Sequence, residues 1–323
     1  MPVARIMSAF DPLVRLLLLV IVLASVLPVT GEGREIARTI SNSGIFLLFL
    51  LNGLRLPRND VLAGIRNARF LLPLSAWCFV AMGAAGWMLW RIGANVLPEQ
   101  VALGLLFLGI LPSTVQSATA YSSLAGGNVA VSVVAAAVLN VTGVFITAPL
   151  LALLAGTEAV EIDIGGLERI ATILLLPFLL GQIAQGWLGE WVRQRRRVTS
   201  WADRLCIGMA VYVAFSGAVE QGLWTLVDLQ AWAILLALVA VFLLVGFGGS
   251  WLFGGLLGLA RPDRVSFLFA GAQKSIAIGA PLAAVLFPPA IAGLLLLPVL
   301  TYHLLQLMLS APLANRLNRQ LQG

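Results

Sequence analysis

Phe267-Leu-Phe-Ala-Gly-Ala-Gln-Lys-Ser-Ile-Ala-Ile-Gly-Ala-Pro281 decides how this chain folds. Its flanks are apolar enough for a membrane, yet its centre holds Gln273-Lys274-Ser275, and Lys274 is the only lysine among 323 residues. An ionisable group within a span costs about 3 kcal/mol on insertion scales, so it must face a cavity, a partner or water. Gly271, Gly279 and Pro281 stand around the polar triplet. Glycine and proline beside polar side chains predict an interrupted helix, its freed backbone groups satisfied by side chains or solute.

A counterpart appears in the other half of the chain. Pro112-Ser-Thr-Val-Gln-Ser-Ala-Thr-Ala-Tyr-Ser-Ser-Leu-Ala-Gly-Gly-Asn128 places eight Ser, Thr, Gln or Asn side chains within 17 residues, too polar for a lipid-facing helix. Spans of about 20 apolar residues fall near 13–30, 36–54, 70–91, 100–124, 128–154, 168–188, 203–223, 229–258, 264–287 and 290–313. Each interruption thus lies in the fourth span of a five-span half. Five is odd, so the second half enters the membrane inverted. The expected fold is an all-α polytopic membrane protein, one transmembrane domain of ten helices. Its two inverted five-helix repeats are residues 1–155 and 156–323. Interruptions at matching places in inverted halves mark the midplane site of a secondary transporter. Close helix packing through small residues accounts for Gly246-Phe-Gly-Gly249 and Gly254-Gly255, but packing has no use for a lysine.

Composition excludes the soluble classes. Hydrophobic residues make up 60% and charged residues 11%, with a mean hydropathy of +0.99, against about 45–50% and 25% in soluble domains. The net charge of +6 sits in short stretches between apolar runs and forms no face for nucleic acid. With both termini cytoplasmic, the inner segments hold Arg5, Arg15, Arg55, Arg58, Arg66, Arg69, Arg193, Arg195, Arg196, Arg197, Arg204, Arg261, Arg264, Arg316 and Arg319. Only Arg34, Arg38, Arg91 and Arg169 fall outside, beside Glu32, Glu35, Glu99, Glu158, Glu161, Asp163 and Glu168. That asymmetry follows the positive-inside rule for ten spans in a bacterial inner membrane. Arg193–Arg197 reads as a topogenic loop, with anionic membrane lipid as a partner in the alternative reading. Cys78 and Cys206 lie in apolar runs as small core residues, and nothing has the spacing of a metal or cofactor site.

Three stretches resemble the bile acid:sodium symporter family, most closely its bacterial SBF-like branch. They are LPSTVQSATAYSSLAGGNVAVSV (Leu111–Val133), GAQKSIAIGAPLA (Gly271–Ala283) and LPVLTYHLLQLMLSAPLA (Leu297–Ala314). The resemblance implies a core of spans 3–5 and 8–10, a panel of spans 1, 2, 6 and 7, and helices 4 and 9 crossing near the midplane. It also implies sodium-coupled carriage of bile acids or other organic anions. Matched residue by residue, Gln273, Gly127–Ala130, the ligand serine Ser132 and the pair Tyr302-His303 agree with the family. The acidic sodium ligand is replaced by Phe269, a threonine ligand by Ala136, and two asparagines by Lys274 and Leu304.

The expected binding residues are Gln116, Thr119, Asn128, Ser132, Gln273, Lys274, Ser275 and His303, with Gln116, Ser132 and Gln273 as weak neutral sodium ligands. Sodium prefers oxygen ligands with a carboxylate among them, and no Asp or Glu lies inside the fourth, fifth, ninth or tenth span. An ammonium there repels a second cation. Lys274 is therefore expected to stand in for sodium, either as a fixed counter-ion for an anionic substrate or as a group releasing a proton during alternating access. His303 is a candidate relay, on one helical face with Gln306; Asn140 and Asn52 suit interhelical hydrogen bonds. The expected activity is secondary transport of a small organic anion, with ordinary sodium symport or a non-transporting solute sensor as alternatives. A channel lacks a filter-like sequence, and an enzyme lacks any hydrolytic motif.

Overall fold

The computed structural model describes residues 11–56, 67–156 and 168–322. Arg5, Arg58, Arg66, Glu158, Glu161 and Asp163, used above for topology, lie outside them. Every described element is helical, with no strand among the described residues.

Among the described residues, seven helices are long and apolar enough to cross a membrane, or eight if one bent pair counts as a span. A helix also occupies each of the two remaining predicted places. One, α1 (Pro12–Val26), has only 15 residues. The other, α2 (Gly31–Arg55), carries Glu32, Arg34, Glu35 and Arg38 in its first turns, which lowers its hydropathy. Then follow α3 (Ala68–Gly93), α4 (Glu99–Ile110), α5 (Val115–Leu124), α6 (Val129–Ala155), α7 (Ala171–Gln194), α8 (Arg196–Glu220), α9 (Leu229–Leu256), α10 (Arg261–Ala272), α11 (Ile276–Leu286) and α12 (Pro289–Gln322).

The chain divides into two compact units, each drawing on both sequence halves. The first comprises Met1–Leu56, Ile162–Leu226 and Ala280–Leu294; the second comprises Pro57–Glu161, Val227–Gly279 and Leu295–Gly323. The first thus holds α1, α2, α7 and α8, the spans that the resemblance assigns to the panel, together with most of α11 and the start of α12, which it assigns to the core. Within it, Arg34 at the start of α2 pairs with Glu220 at the end of α8, and Arg55 at the end of α2 pairs with Asp203 near the start of α8. These two helices are therefore antiparallel, which puts Arg55 and the arginines around Arg193–Arg204 at one membrane face. Gly53 and Gly181 let α2 and α7 touch backbone to backbone, with alpha carbons facing across the gap a Cβ would fill.

The second unit holds α3 to α6, α9, α10 and most of α12. All ten residues from Val101 to Ile110 of α4 are buried, as expected of a helix that is apolar all round. Pro73 gives α3 no amide to donate, and a π-turn follows at Trp77–Ala81, where Met82 N–H bonds the Trp77 carbonyl rather than that of Cys78.

Candidate functional site

The two predicted interruptions exist, and they meet. Between α4 and α5, Leu111-Pro112-Ser113-Thr114 is extended, and the two helices bend by 59°. Pro112 removes one amide and the run has no helical continuation, so the last carbonyls of α4 need outside donors. Between α10 and α11, Gln273-Lys274-Ser275 is likewise non-helical, with Gln273 at φ −83°, ψ 141°.

Each exposed carbonyl of the first break has a named donor. Gly109 and Leu111 carbonyls accept from Lys274 Nζ at 2.7 and 2.8 Å. Thr147 Oγ1 of α6 donates to Ile110 at 3.1 Å, Ser275 N–H donates to Pro112 at 2.9 Å, and Asn140 Nδ2 donates to Ser113 at 2.8 Å. Five consecutive carbonyls in a membrane interior are thus satisfied, two by one ammonium. That ammonium makes a third bond, 3.0 Å to the Cys78 carbonyl, the one that the π-turn of α3 withdraws from Met82. Lys274 is 1% exposed. Three acceptors at these distances call for three hydrogens, which the ammonium has and the neutral amine lacks. Its charge also offsets the negative end of the α4 dipole.

The second break is held as fully. Gln273 Oε1 accepts from Thr114 Oγ1 at 2.7 Å and from Ser117 Oγ, and Gln273 Nε2 donates to Ser310 Oγ of α12 at 3.1 Å. Gln306 brackets the Lys274 residue: its Oε1 accepts Lys274 N–H at 2.8 Å and its Nε2 donates to the Lys274 carbonyl at 3.1 Å. Ser275 Oγ accepts Ile278 N–H at 3.3 Å and caps α11. Tyr302 OH donates to the Ala272 carbonyl at 2.5 Å, and Cys78 Sγ lies 3.7 Å from the Ala270 carbonyl, closing the end of α10.

The eight expected residues fall in four places. Gln273, Lys274, Ser275 and His303 come together with the first break. Gln116 is exposed in the first turn of α5, and no hydrogen bond joins it to the Gln273 cluster; its neighbour Ser117 takes that place. Asn128 lies at the other end of α5: its Oδ1 caps α6 through Val131 N–H at 3.3 Å, and its Nδ2 donates to Asp263 at 2.8 Å. The hydroxyls of Thr119 and Ser132 are buried without a hydrogen-bonding partner among the described residues, as is that of Ser113. Asn140 is an interhelical donor, as its residue type suggested. Thr147 and Ser310 carry no signal beyond being small polar residues in apolar helices, and nothing sets Thr114 and Ser117 apart within the polar run Pro112–Asn128, so sequence reasoning singled out none of the four. Asn140→Leu is expected to lower the apparent melting temperature by a few degrees, because the Ser113 carbonyl loses its donor at about 1–3 kcal/mol. Thermal unfolding in detergent, followed by tryptophan fluorescence, checks this.

Comparison with known proteins gives consistent matches. The model of the SBF-like CPA transporter family matches residues 11–319. An uncharacterized protein of Pseudomonas aeruginosa, PA2026, is 36% identical over 94% of this chain and 92% of its own length. "Putative symporter YfeH" of Escherichia coli K12 is 33% identical over 98% and 95%. "Sodium/bile acid cotransporter 7" of Mus musculus is 23% identical over 85% and 82%.

Proposed function

Since the chain belongs to the SBF-like CPA transporter family, we propose that it moves a small organic anion across the bacterial inner membrane. It does so by alternating access, with ten helices in inverted repeats and both termini cytoplasmic. Coupling is to protons or absent, because Lys274 occupies the place of a driving cation.

The observation that carries this reading is the set of three carbonyls around Lys274 Nζ. An ammonium bonded to Cys78, Gly109 and Leu111 does what a bound cation does at a broken helix, and like-charge repulsion keeps a second cation away. The anion site is supported by the helix starts just after the breaks. The dipoles of α5 and α11 present their positive ends there, and Gln116 is exposed on the first turn of α5. Lys274 itself has all three hydrogens engaged, so its share in anion attraction is through field rather than contact. For a proton to leave, Nζ must first part from at least one carbonyl. That ties deprotonation to separation of the breaks.

Sodium coupling is the second reading, favoured by the unpartnered buried hydroxyls of Ser113, Thr119 and Ser132 and by the sodium in the name of the mouse relative. Proteoliposome uptake of a panel of labelled carboxylates and sulfonates separates the two. We expect uptake in choline medium to equal uptake in sodium medium, and Lys274→Ala to lose at least tenfold. Uptake that requires sodium and survives Lys274→Ala overturns the proposal in favour of the hydroxyl site.

A further inference from the structure

We propose that His303 and Gln306 form a tautomer-locked clamp that holds the Lys274 peptide extended, which makes both of them positioning residues for the ammonium. The inference deepens the transport reading and rests on it for its functional arm only.

Backbone groups of fixed polarity set the orientation of the Gln306 amide, and the amide sets the tautomer of His303. A backbone N–H only donates and a backbone carbonyl only accepts. Lys274 N–H lies 2.8 Å from one end of the Gln306 amide and the Lys274 carbonyl 3.1 Å from the other, so the facing atoms are Oε1 and Nε2 in that order. The remaining hydrogen of Nε2 points at His303 Nδ1, 2.8 Å away. Two donors cannot face each other, so Nδ1 holds a lone pair and the ring proton sits on Nε2. The i, i+3 spacing on α12 brings the two side chains together. Ser310 Oγ donates to the Gln306 carbonyl at 2.7 Å and so joins the same turn to Gln273.

A proton on Nδ1 destroys this arrangement. If Gln306 stays, two N–H groups collide; if its amide flips to accept from His303, an N–H faces the Lys274 N–H and both backbone bonds are lost. The charged or titratable groups around the pair within this unit are few. Lys274 faces it from the second break, its ammonium engaged by three carbonyls. Tyr302 OH, on the same helix, is bonded to Ala272, and Cys78 of α3 lies by Ala270. No Asp or Glu occurs in α3, α5, α6, α11 or α12. Glu99 and Asp263 stand in the first turns of α4 and α10, and Asp228 caps α9.

His303 is the only histidine in the chain, so protein labelled with 15N-histidine and freed of any affinity tag reports this ring alone. At pH 7.5 the expected spectrum has an unprotonated Nδ1 and a protonated Nε2. A protonated Nδ1, as the other tautomer or as imidazolium, overturns the clamp whatever the protein transports. Gln306→Leu is expected to abolish the tautomer preference. If the spectrum is unchanged in that variant, the lock is refuted. The functional arm is the pH profile of uptake. Wild type is expected to lose uptake as acid protonates His303, by roughly tenfold when two backbone bonds go. His303→Asn keeps an acceptor near Nδ1 but cannot titrate, so whatever its uptake at pH 7.5, that rate should be kept in acid. An acid limb that persists in His303→Asn refutes the functional arm while leaving the spectroscopic one standing.

Discussion

Lys274→Met is expected to melt about 6 °C below wild type in detergent, because three buried carbonyls lose their one donor. The variant removes the desolvation cost of the ammonium, which by itself stabilises. Against that, it strips the donor from the carbonyls of Cys78, Gly109 and Leu111, each left unpaired at about 1–3 kcal/mol. No other donor reaches the Gly109 and Leu111 oxygens among the described residues, since Thr147, Ser275 and Asn140 are committed to Ile110, Pro112 and Ser113. The carbonyl penalty therefore wins, at about 3–5 kcal/mol net of relaxation, and each kcal/mol is about 1.5 °C at an unfolding entropy of about 2.1 cal/mol/K per residue. Lys274→Arg is not expected to rescue, because a planar fork cannot present hydrogens to three convergent acceptors as a point ammonium does. Lys274→Ala adds a check on the proposed stand-in: sodium chloride should raise its melting temperature and choline chloride should not, while wild type responds to neither. A Lys274→Met protein that melts within 2 °C of wild type refutes the argument.

Gly109→Ala has the second largest expected effect, about 2–3 kcal/mol, because the ammonium site depends on a close helix approach. A Cβ on Gly109 would lie 2.7 Å from the Met82 carbonyl and 2.9 Å from Gly86 Cα, and one on Gly86 would lie 2.8 Å from Gly109 Cα. Either methyl group must push α3 from α4. Moving α4 carries the Gly109 carbonyl away from Lys274 Nζ, while moving α3 carries away the Cys78 carbonyl. The two substitutions relieve and impose the same separation, so Gly86→Ala combined with Gly109→Ala should cost clearly less than the sum of the two alone. Thermal unfolding of the two single variants and the double variant measures this. Additive losses, or a Gly109→Ala protein that melts like wild type, sink it.

Both variants act at a place that was legible in the sequence, since a lone lysine and a polar run bounded by Pro112 and Gly126-Gly127 have no business in lipid-facing helices. The identity of the donors was less legible. Gln116 stood out as the largest polar side chain of its run, yet Ser117 reaches Gln273, because a 100° step per residue turns Gln116 to the exposed side of α5. Asn128 matched the family pattern, yet it caps α6 and holds Asp263 at the far end of α5. Neither outcome can be read from composition, since both depend on the rotation of α5 after a break whose bend the sequence does not encode locally.

The amino-acid sequence thus carries the helical, membrane-bound character of the chain, the places of its apolar runs, its family, and the presence of one interruption around Gln273-Lys274-Ser275 and another within the polar run Pro112–Asn128, which packing confines to Leu111–Thr114 while the rest of the run forms α5. These follow from local properties: the free energy of moving a residue into hydrocarbon, the missing amide of proline and the polarity of a short run. The tertiary structure alone decided which carbonyls the ammonium meets, that Thr147, Asn140 and Ser275 complete the rest, and that Gln306 fixes the tautomer of His303. Each of these is a hydrogen bond whose partners lie up to 196 residues apart in the chain. Such bonds exist only once packing has brought a π-turn, two broken helices and one face of α12 within 3 Å of one another.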